Sequence, residues 1–149
     1  MSKPSNAPIR VLLVEGSNED ALIVCNNLKY AVTAFEVTRA ETLLAAQRLM
    51  EEHVERTDEV AEEDAHAFDA VLLDLHLPNG KGLACIKALR SISSRIPIIV
   101  LTGMEDQPVA NYFDAGADDY VSKSSPSRQM ESALYRAARQ YRRVRRHKK

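Results

Sequence analysis

Four short apolar runs recur along the chain. They consist mainly of leucine and β-branched residues that do not alternate with polar ones, which is typical of strands buried on both faces of a parallel sheet. A fifth run alternates apolar and polar residues and is typical of an edge strand. The four buried strands are predicted at Ile9–Val14, Phe68–Asp74, Ile96–Leu101 and Asp118–Ser122, and the edge strand at Ala34–Ala40.

Between these runs, apolar residues recur at the spacing of helices. Asn18 is predicted to cap the first helix, because it precedes two acids in a turn where the helix dipole favours negative charge. Leu22, Cys25 and Leu28 are predicted to form the apolar stripe of this helix. The other predicted helices are Ala40–Glu51, Gly82–Arg90, a short helix from Asp106 to Gly116 with Pro108 in its first turn, and a last helix opened by Ser125 and Pro126. Strand and helix alternate five times, which predicts one α/β domain with a parallel sheet and helices on both faces.

The composition is that of a soluble globular domain. The chain has 149 residues, of which 45% are hydrophobic and 28% are charged. No apolar run approaches the ~20 residues of a membrane helix, and the N-terminus lacks the apolar core of a signal peptide. Cys25 and Cys85 show no CxxC spacing, which favours buried thiols in a reducing compartment. These features predict a cytoplasmic protein without a membrane segment.

Charge is distributed unevenly, although the net charge is only −1. Residues 1–8 are predicted to form a flexible N-terminus, residues 9–146 the domain and residues 147–149 a tail. Acids crowd into residues 52–66, predicted to be a solvated insertion or an extension of the second helix. Bases crowd into the last helix, residues 126–146, where they can neutralise nucleic-acid phosphates. No DNA-binding motif accompanies them, so contact with a protein partner or a second copy of the chain is favoured over nucleic acid.

Polar side chains stand where four of the predicted strands end. They are Glu15, Asp74, Thr102 and Lys123. In a doubly wound sheet the functional crevice lies beyond the carboxyl ends of the strands, so we expect these four side chains at one rim. An aspartate beside a lysine and a divalent cation can act as a nucleophile toward a phosphoryl donor, since carboxylates form acyl phosphates. The sequence offers no GxGxxG or P-loop motif after the first strand, and its four histidines lack metal-site spacing.

Four sequence blocks resemble the successive signature blocks of response-regulator receiver domains of two-component signalling. In chain order they are "LLVEGSNEDALIV", "DAVLLDLHLPNGKGL", "IPIIVLTGMED" and "AGADDYVSK". The resemblance runs from about Ile9 to the last helix. It implies a flavodoxin-like, doubly wound sheet of five parallel strands in the order 2-1-3-4-5, with five helices.

The resemblance also assigns roles at the rim. It implies that Asp74 accepts a phosphoryl group from a histidine kinase or a histidine phosphotransfer protein. Thr102 and Lys123 would contact that group, and Tyr120 would be the aromatic switch three residues before the lysine. A bound Mg²⁺ would be held by Glu15, by Asp74 and by the backbone carbonyl of His76, whose imidazole is expected to face solvent.

Gly16 departs from the family pattern. Receivers carry two adjacent acids after the first strand, and the second of the two binds the metal directly; here Glu15 is followed by glycine. This predicts weak binding of Mg²⁺, unless the glycine is present because the turn requires a positive φ. Glu19 and Asp20, in the first turn of the next helix, are expected to point away from the site. Pro78 and Gly82 fit the family's turn after the third strand.

The sequence favours a single-domain response regulator that is not an enzyme and that signals by contact with a downstream protein, with homodimerisation left open. The alternative is a phosphorylation-independent pseudo-receiver that serves as an interaction module. An adaptor that binds nucleic acid through its basic end is a third hypothesis. The first is favoured because Asp74, Thr102, Tyr120 and Lys123 are all present.

Overall fold

A computed structural model of the chain describes residues 7–59, 68–77, 82–103 and 108–146; the side chains of residues 53–59 and 145–146 are excepted. Five strands and five helices alternate within this part. The strands are β1 Ile9–Val14, β2 Phe35–Ala40, β3 Ala70–Asp74, β4 Ile98–Thr102 and β5 Asp119–Ser122. The helices are α1 Asn18–Lys29, α2 Leu43–Glu59, α3 Leu83–Ile92, α4 Val109–Ala115 and α5 Ser127–Arg146.

The strands form one parallel sheet in the order β2-β1-β3-β4-β5. This is the order that the resemblance implied, and the alternating strand β2 lies at an edge as predicted. The sheet is of the flavodoxin-like, doubly wound type, because successive residues of its central strands enter two separate cores. Leu12 and Leu73 pack under α2 and α3, whereas Leu13 and Leu72 pack under α1 and α5.

The first helix differs from its prediction in cap and in face. Ser17, not Asn18, is the N-cap, and its hydroxyl accepts a hydrogen bond from the amide of Asp20. The buried positions of α1 are Ala21, Val24 and Leu28, whereas Leu22 is 62% exposed and does not belong to the stripe. The sheet is covered by the face of α1 that carries the smaller residues.

The remaining predictions agree with the structure within a few residues. The second helix extends to Glu59, so the first part of the acidic stretch continues α2; residues 60–66 lie outside the described part. Gly116 ends α4 with a positive φ, as predicted. Cys25 and Cys85 are free thiols, of which Cys85 is fully buried. Residues 1–6, Pro78 and residues 147–149 lie outside the described residues. The prediction that α4 starts at Asp106 with Pro108 in its first turn was wrong: Pro108 is its N-cap and the helix begins at Val109. None of the described helices is long and apolar enough to cross a membrane.

Candidate functional site

The carboxyl ends of β1, β3, β4 and β5 bring the four predicted rim residues together. Lys123 Nζ lies 3.5 Å from Glu15 Oε1 and 3.5 Å from Asp74 Oδ2. The backbone amide of Lys123 donates to the carbonyl of Thr102 at 2.6 Å, which ties the end of β5 to the end of β4. Glu15, Asp74 and Thr102 are buried. Side chains that are far apart in the chain therefore form one polar cluster, as the strand-end pattern predicted.

Asp20 also reaches this cluster, which the sequence prediction missed. Its Oδ2 lies 2.7 Å from Lys123 Nζ, closer than either of the two buried carboxylates. The expectation that Asp20 points away from the site was therefore wrong. A helix that follows a parallel strand starts at the rim, so its first turn can face the site; the position of Asp20 in that turn was the available signal.

Glu15 has an unusual environment for a carboxylate. Its Oε2 accepts the amide of Ser17 at 3.2 Å, whereas Oε1 is buried without a hydrogen-bond partner among the described residues. Burial, and after it the neighbouring Asp74 carboxyl, raises the pKa of Glu15 from 4.5 to about 7, against the opposing effects of the Ser17 amide and Lys123. Three carboxyl groups, those of Glu15, Asp20 and Asp74, lie around one ammonium, so the cluster has more acids than bases and suits a further cation.

One carboxylate oxygen of Asp74 is fixed by a backbone amide two residues further along the chain. Its Oδ1 accepts the backbone amide of His76 at 3.1 Å, so Oδ2 is the oxygen that faces Lys123. His76 is exposed, which confirms the prediction that its imidazole faces solvent. Thr102 Oγ1 is buried and has no hydrogen-bond partner among the described residues. A buried hydroxyl of this kind can still donate to an oxygen that enters the site.

The loop that carries Gly16 is braced by Arg39 at the end of β2. Arg39 Nε donates to the carbonyl of Glu15 at 2.9 Å, and Nη1 donates to Asn18 Oδ1 at 2.8 Å. Among the described glycines, only Gly82 and Gly116 have a positive φ. The alternative explanation for Gly16, a turn that requires positive φ, is therefore wrong. The backbone at this position is one that an aspartate can adopt.

Tyr120 lies in β5, where it pairs with Val100 of β4, and its ring packs against α4. Its ring centroid is 6.3 Å from those of both Tyr112 and Phe113, and 37% of its surface is exposed. The ring therefore belongs to an aromatic group on α4 and β5.

The donor set of the cluster suits a hard cation. Glu15 and Asp74 offer carboxylate oxygens, and one of them, Glu15 Oε1, is buried without a hydrogen bond; Mg²⁺ takes one or two carboxylates and keeps several waters. Within the described ranges, no three His, Cys, Asp or Glu side chains have the spacing of a metal site. The residues fit a Mg²⁺ ion that is held by two side chains.

Comparisons of the sequence and of the structure with known proteins both match this chain to receiver domains. A family model described as the response regulator receiver domain matches residues 11–135. The transcriptional regulatory protein PhoP of Escherichia coli K12 is 33% identical over 118 residues, which are 77% of this chain and 45% of PhoP. The KDP operon transcriptional regulatory protein KdpE of the same organism is 39% identical over 74 residues, 49% of this chain and 32% of KdpE. The chain spans less than half the length of these two relatives.

Solved receiver structures superpose over most of the chain. The signal receiver domain of an HD domain-containing protein from Pseudomonas fluorescens Pf-5 covers 99% of this chain and 98% of its own, with a TM-score of 0.79 and 19% identity. The receiver domain of the sensor histidine kinase PA1611 from Pseudomonas aeruginosa PAO1 covers 89% of this chain and 98% of its own, with a TM-score of 0.70 and 26% identity. That domain has a magnesium ion coordinated in its active-site cleft.

Proposed function

Because this chain belongs to the family of response regulator receiver domains, we propose that it is a cytoplasmic single-domain response regulator that is phosphorylated on Asp74. The donor is a histidine kinase or a histidine phosphotransfer protein. The phosphorylated domain signals by contact with a downstream protein. The transcriptional regulation in the names of PhoP and KdpE is not carried over, because more than half of each relative lies outside its match to this chain.

The observation that carries this proposal is the environment of the Asp74 carboxylate. It is buried at the end of the central strand β3, with one oxygen fixed by the His76 amide and the other facing the Lys123 ammonium at 3.5 Å. One carboxylate oxygen attacks the phosphorus, the bond from phosphorus to the donor nitrogen breaks, and an acyl phosphate forms. Phosphoryl transfer depends mainly on positioning and on neutralising charge, and Lys123 supplies one positive charge at the required place.

In this proposal, Thr102 and Tyr120 respond to the phosphoryl group on Asp74. The Thr102 hydroxyl, buried and unpartnered, donates to a phosphoryl oxygen. Tyr120 then changes its packing against the α4 rings, which alters the surface offered to a partner or to a second copy of the chain. This assignment rests on the burial of Thr102 at the end of β4 and on the place of Tyr120 in the neighbouring strand β5, three residues before Lys123.

We assign Mg²⁺ to Glu15, to Asp74 and to the backbone carbonyl of His76. The PA1611 receiver, with a magnesium ion in its cleft, supports this assignment. When bound, the ion neutralises charge on the phosphoryl oxygens. We expect its affinity to be low, because Gly16 offers no carboxylate.

Incubation with a small phosphodonor and Mg²⁺, followed by intact-mass measurement, tests the proposal. We expect a gain of about 80 Da, one phosphoryl group, that is lost in Asp74→Asn. Asp114→Asn, an exposed aspartate on α4, is the matched control and should gain the same mass as the wild type. Equal mass gain in Asp74→Asn would show that the acceptor is misassigned. A wild type that gains nothing, together with partner binding that Asp74→Asn leaves intact, would favour the pseudo-receiver alternative.

A further inference from the structure

The Lys123 ammonium has three acidic neighbours, and the residue nearest to it is not the proposed acceptor. Asp20 Oδ2 is 2.7 Å away, whereas Asp74 Oδ2 and Glu15 Oε1 are each 3.5 Å away. Of the three ion pairs, only the one with Asp20 is also a hydrogen bond. The lysine is thus bound most directly by a residue that the strand-end pattern does not contain.

Burial differs sharply among the three acids. The side chains of Glu15 and Asp74 are 1% and 4% exposed, whereas that of Asp20 is 39% exposed and that of Lys123 is 25% exposed. The bond to Asp20 therefore draws the ammonium toward the mouth of the site and away from the buried pair. Glu15 Oε1, deeper in the site than the Lys123 ammonium, remains without a hydrogen-bond partner.

We propose that Asp20 is a positioning residue that holds Lys123 in the unphosphorylated protein and competes with Asp74 for its ammonium. A phosphoryl group on Asp74 adds negative charge opposite Asp20, and Lys123 then leaves Asp20 for the buried side of the site. Asp20 thereby restrains phosphorylation. This consequence rests on the proposed function of Asp74, whereas the pairing itself does not.

The N-terminus of α1 explains why Asp20 can act here. The Ser17 hydroxyl caps the Asp20 amide, which fixes the first turn of α1 directly above the end of β1. Glu19, in the same turn, is exposed and has the same charge. It therefore provides a matched control for effects of charge and of helix stability.

A double-mutant cycle on the unphosphorylated protein tests the pairing. Asp20→Asn should destabilise the wild type but not Lys123→Met, with a coupling of about two- to fivefold in the folding equilibrium constant, as for partly exposed ion pairs. The corresponding cycle with Glu19→Gln should show no coupling. Equal effects of Asp20→Asn in both backgrounds would overturn the inference. The cycle decides on the pairing even in a protein that accepts no phosphoryl group.

Initial rates with a small phosphodonor and Mg²⁺ test the competition. We expect Asp20→Asn to accumulate acyl phosphate roughly two- to fivefold faster than the wild type, because an ion pair of this exposure is worth a few-fold in equilibrium. Asp20→Glu, which keeps the charge, should restore the slower rate, and Glu19→Gln should leave it unchanged. An unchanged or lower rate in Asp20→Asn would overturn the inference while leaving the assignment of Asp74 intact. Absence of acyl phosphate in every form, the wild type included, would reject the proposed function and not the pairing.

Discussion

At the scale of single residues, the most informative position is one without a side chain. Gly16 separates the buried carboxylate of Glu15 from the cap of α1, and its loop is braced by Arg39. The sequence allowed two explanations, a lost metal ligand or a turn with positive φ. Gly16 is not among the described glycines with positive φ, which removes the second explanation and leaves the lost ligand as the hypothesis to test.

Gly16→Asp should therefore strengthen the binding of Mg²⁺ without unfolding the domain. The new carboxylate adds an oxygen ligand and a negative charge beside Glu15 and Asp74, and no left-handed strain opposes it. Titration of both forms with Mg²⁺ measures the change, which we expect to be roughly tenfold, the order of a charge-assisted contact. Gly16→Ala is the control for the loss of backbone freedom. Unchanged affinity in a folded Gly16→Asp protein would contradict the lost-ligand explanation.

The raised pKa of Glu15 makes stability depend on pH in a specific direction. The folded protein holds a proton on Glu15 up to about pH 7, whereas an unfolded chain releases it near 4.5. Between these values the folded state binds more protons, so the free energy of unfolding falls as the pH rises. We expect a loss on the order of 1–3 kcal/mol across this window in metal-free buffer. Denaturant unfolding over the window measures it, and Glu15→Gln should remove this part of the slope; an identical slope in that variant would contradict the argument.

At the scale of elements, the sequence predicted the type and order of every strand and helix now described. Long apolar runs and strong helical spacing leave little ambiguity of type, and β1 was predicted to the residue. The cap of α1 was missed by one position, because serine and asparagine are comparable caps and stand next to each other. In the structure Ser17 is the cap, whereas the Asn18 side chain accepts a hydrogen bond from Arg39 of β2.

The orientation of α1 also lay beyond the sequence. Two apolar faces were available, one with Leu22 and one with Ala21 and Val24, and the structure buries the second. The choice is made by close packing against the sheet, which a one-dimensional pattern does not contain. The orientation of α1 that buries Ala21 also places Asp20 at the rim. The missed stripe and the missed site residue therefore have one physical cause.

At the scale of the whole molecule, a buried ion pair anchors α5 at the end of the sheet opposite the site. Asp69, which is 3% exposed, accepts the Arg10 amide at 2.9 Å. It also accepts Arg142 Nε at 3.0 Å and Nη2 at 2.8 Å. Arg142 Nη2 donates in addition to the carbonyl of Pro8 at 2.8 Å. One carboxylate thus joins the N-terminal segment, the start of β3 and the far end of the last helix.

Asp69→Ala should destabilise the domain severely. Removing the Asp69 carboxylate takes away a buried charge that Arg142 contacts at two nitrogens and that the Arg10 amide also contacts, which costs about 3 kcal/mol of unfolding free energy. Glu36→Ala is the control, because Glu36 pairs with Arg10 Nε at 3.0 Å but is 60% exposed; its loss should cost less than about 1 kcal/mol. Chemical denaturation of both variants measures the difference. Losses of similar size would show that the Asp69 contacts contribute no more than a surface pair.

The order of the strands has a consequence for how the chain folds. Val71 pairs with Ile98, and Ile99 with Asp119, across single helical crossovers, whereas Val11 pairs with Ala70 across two helices and a further strand. Pairings between residues that are distant in the chain lose more conformational entropy before they gain contacts, so the joining of β1 to β3 is expected late. Glu15 and Asp74 stand at the ends of these two strands. We therefore expect the acceptor to meet its neighbouring acid late in folding, and β3, β4 and β5 joined without β1 would lack Glu15 at the site.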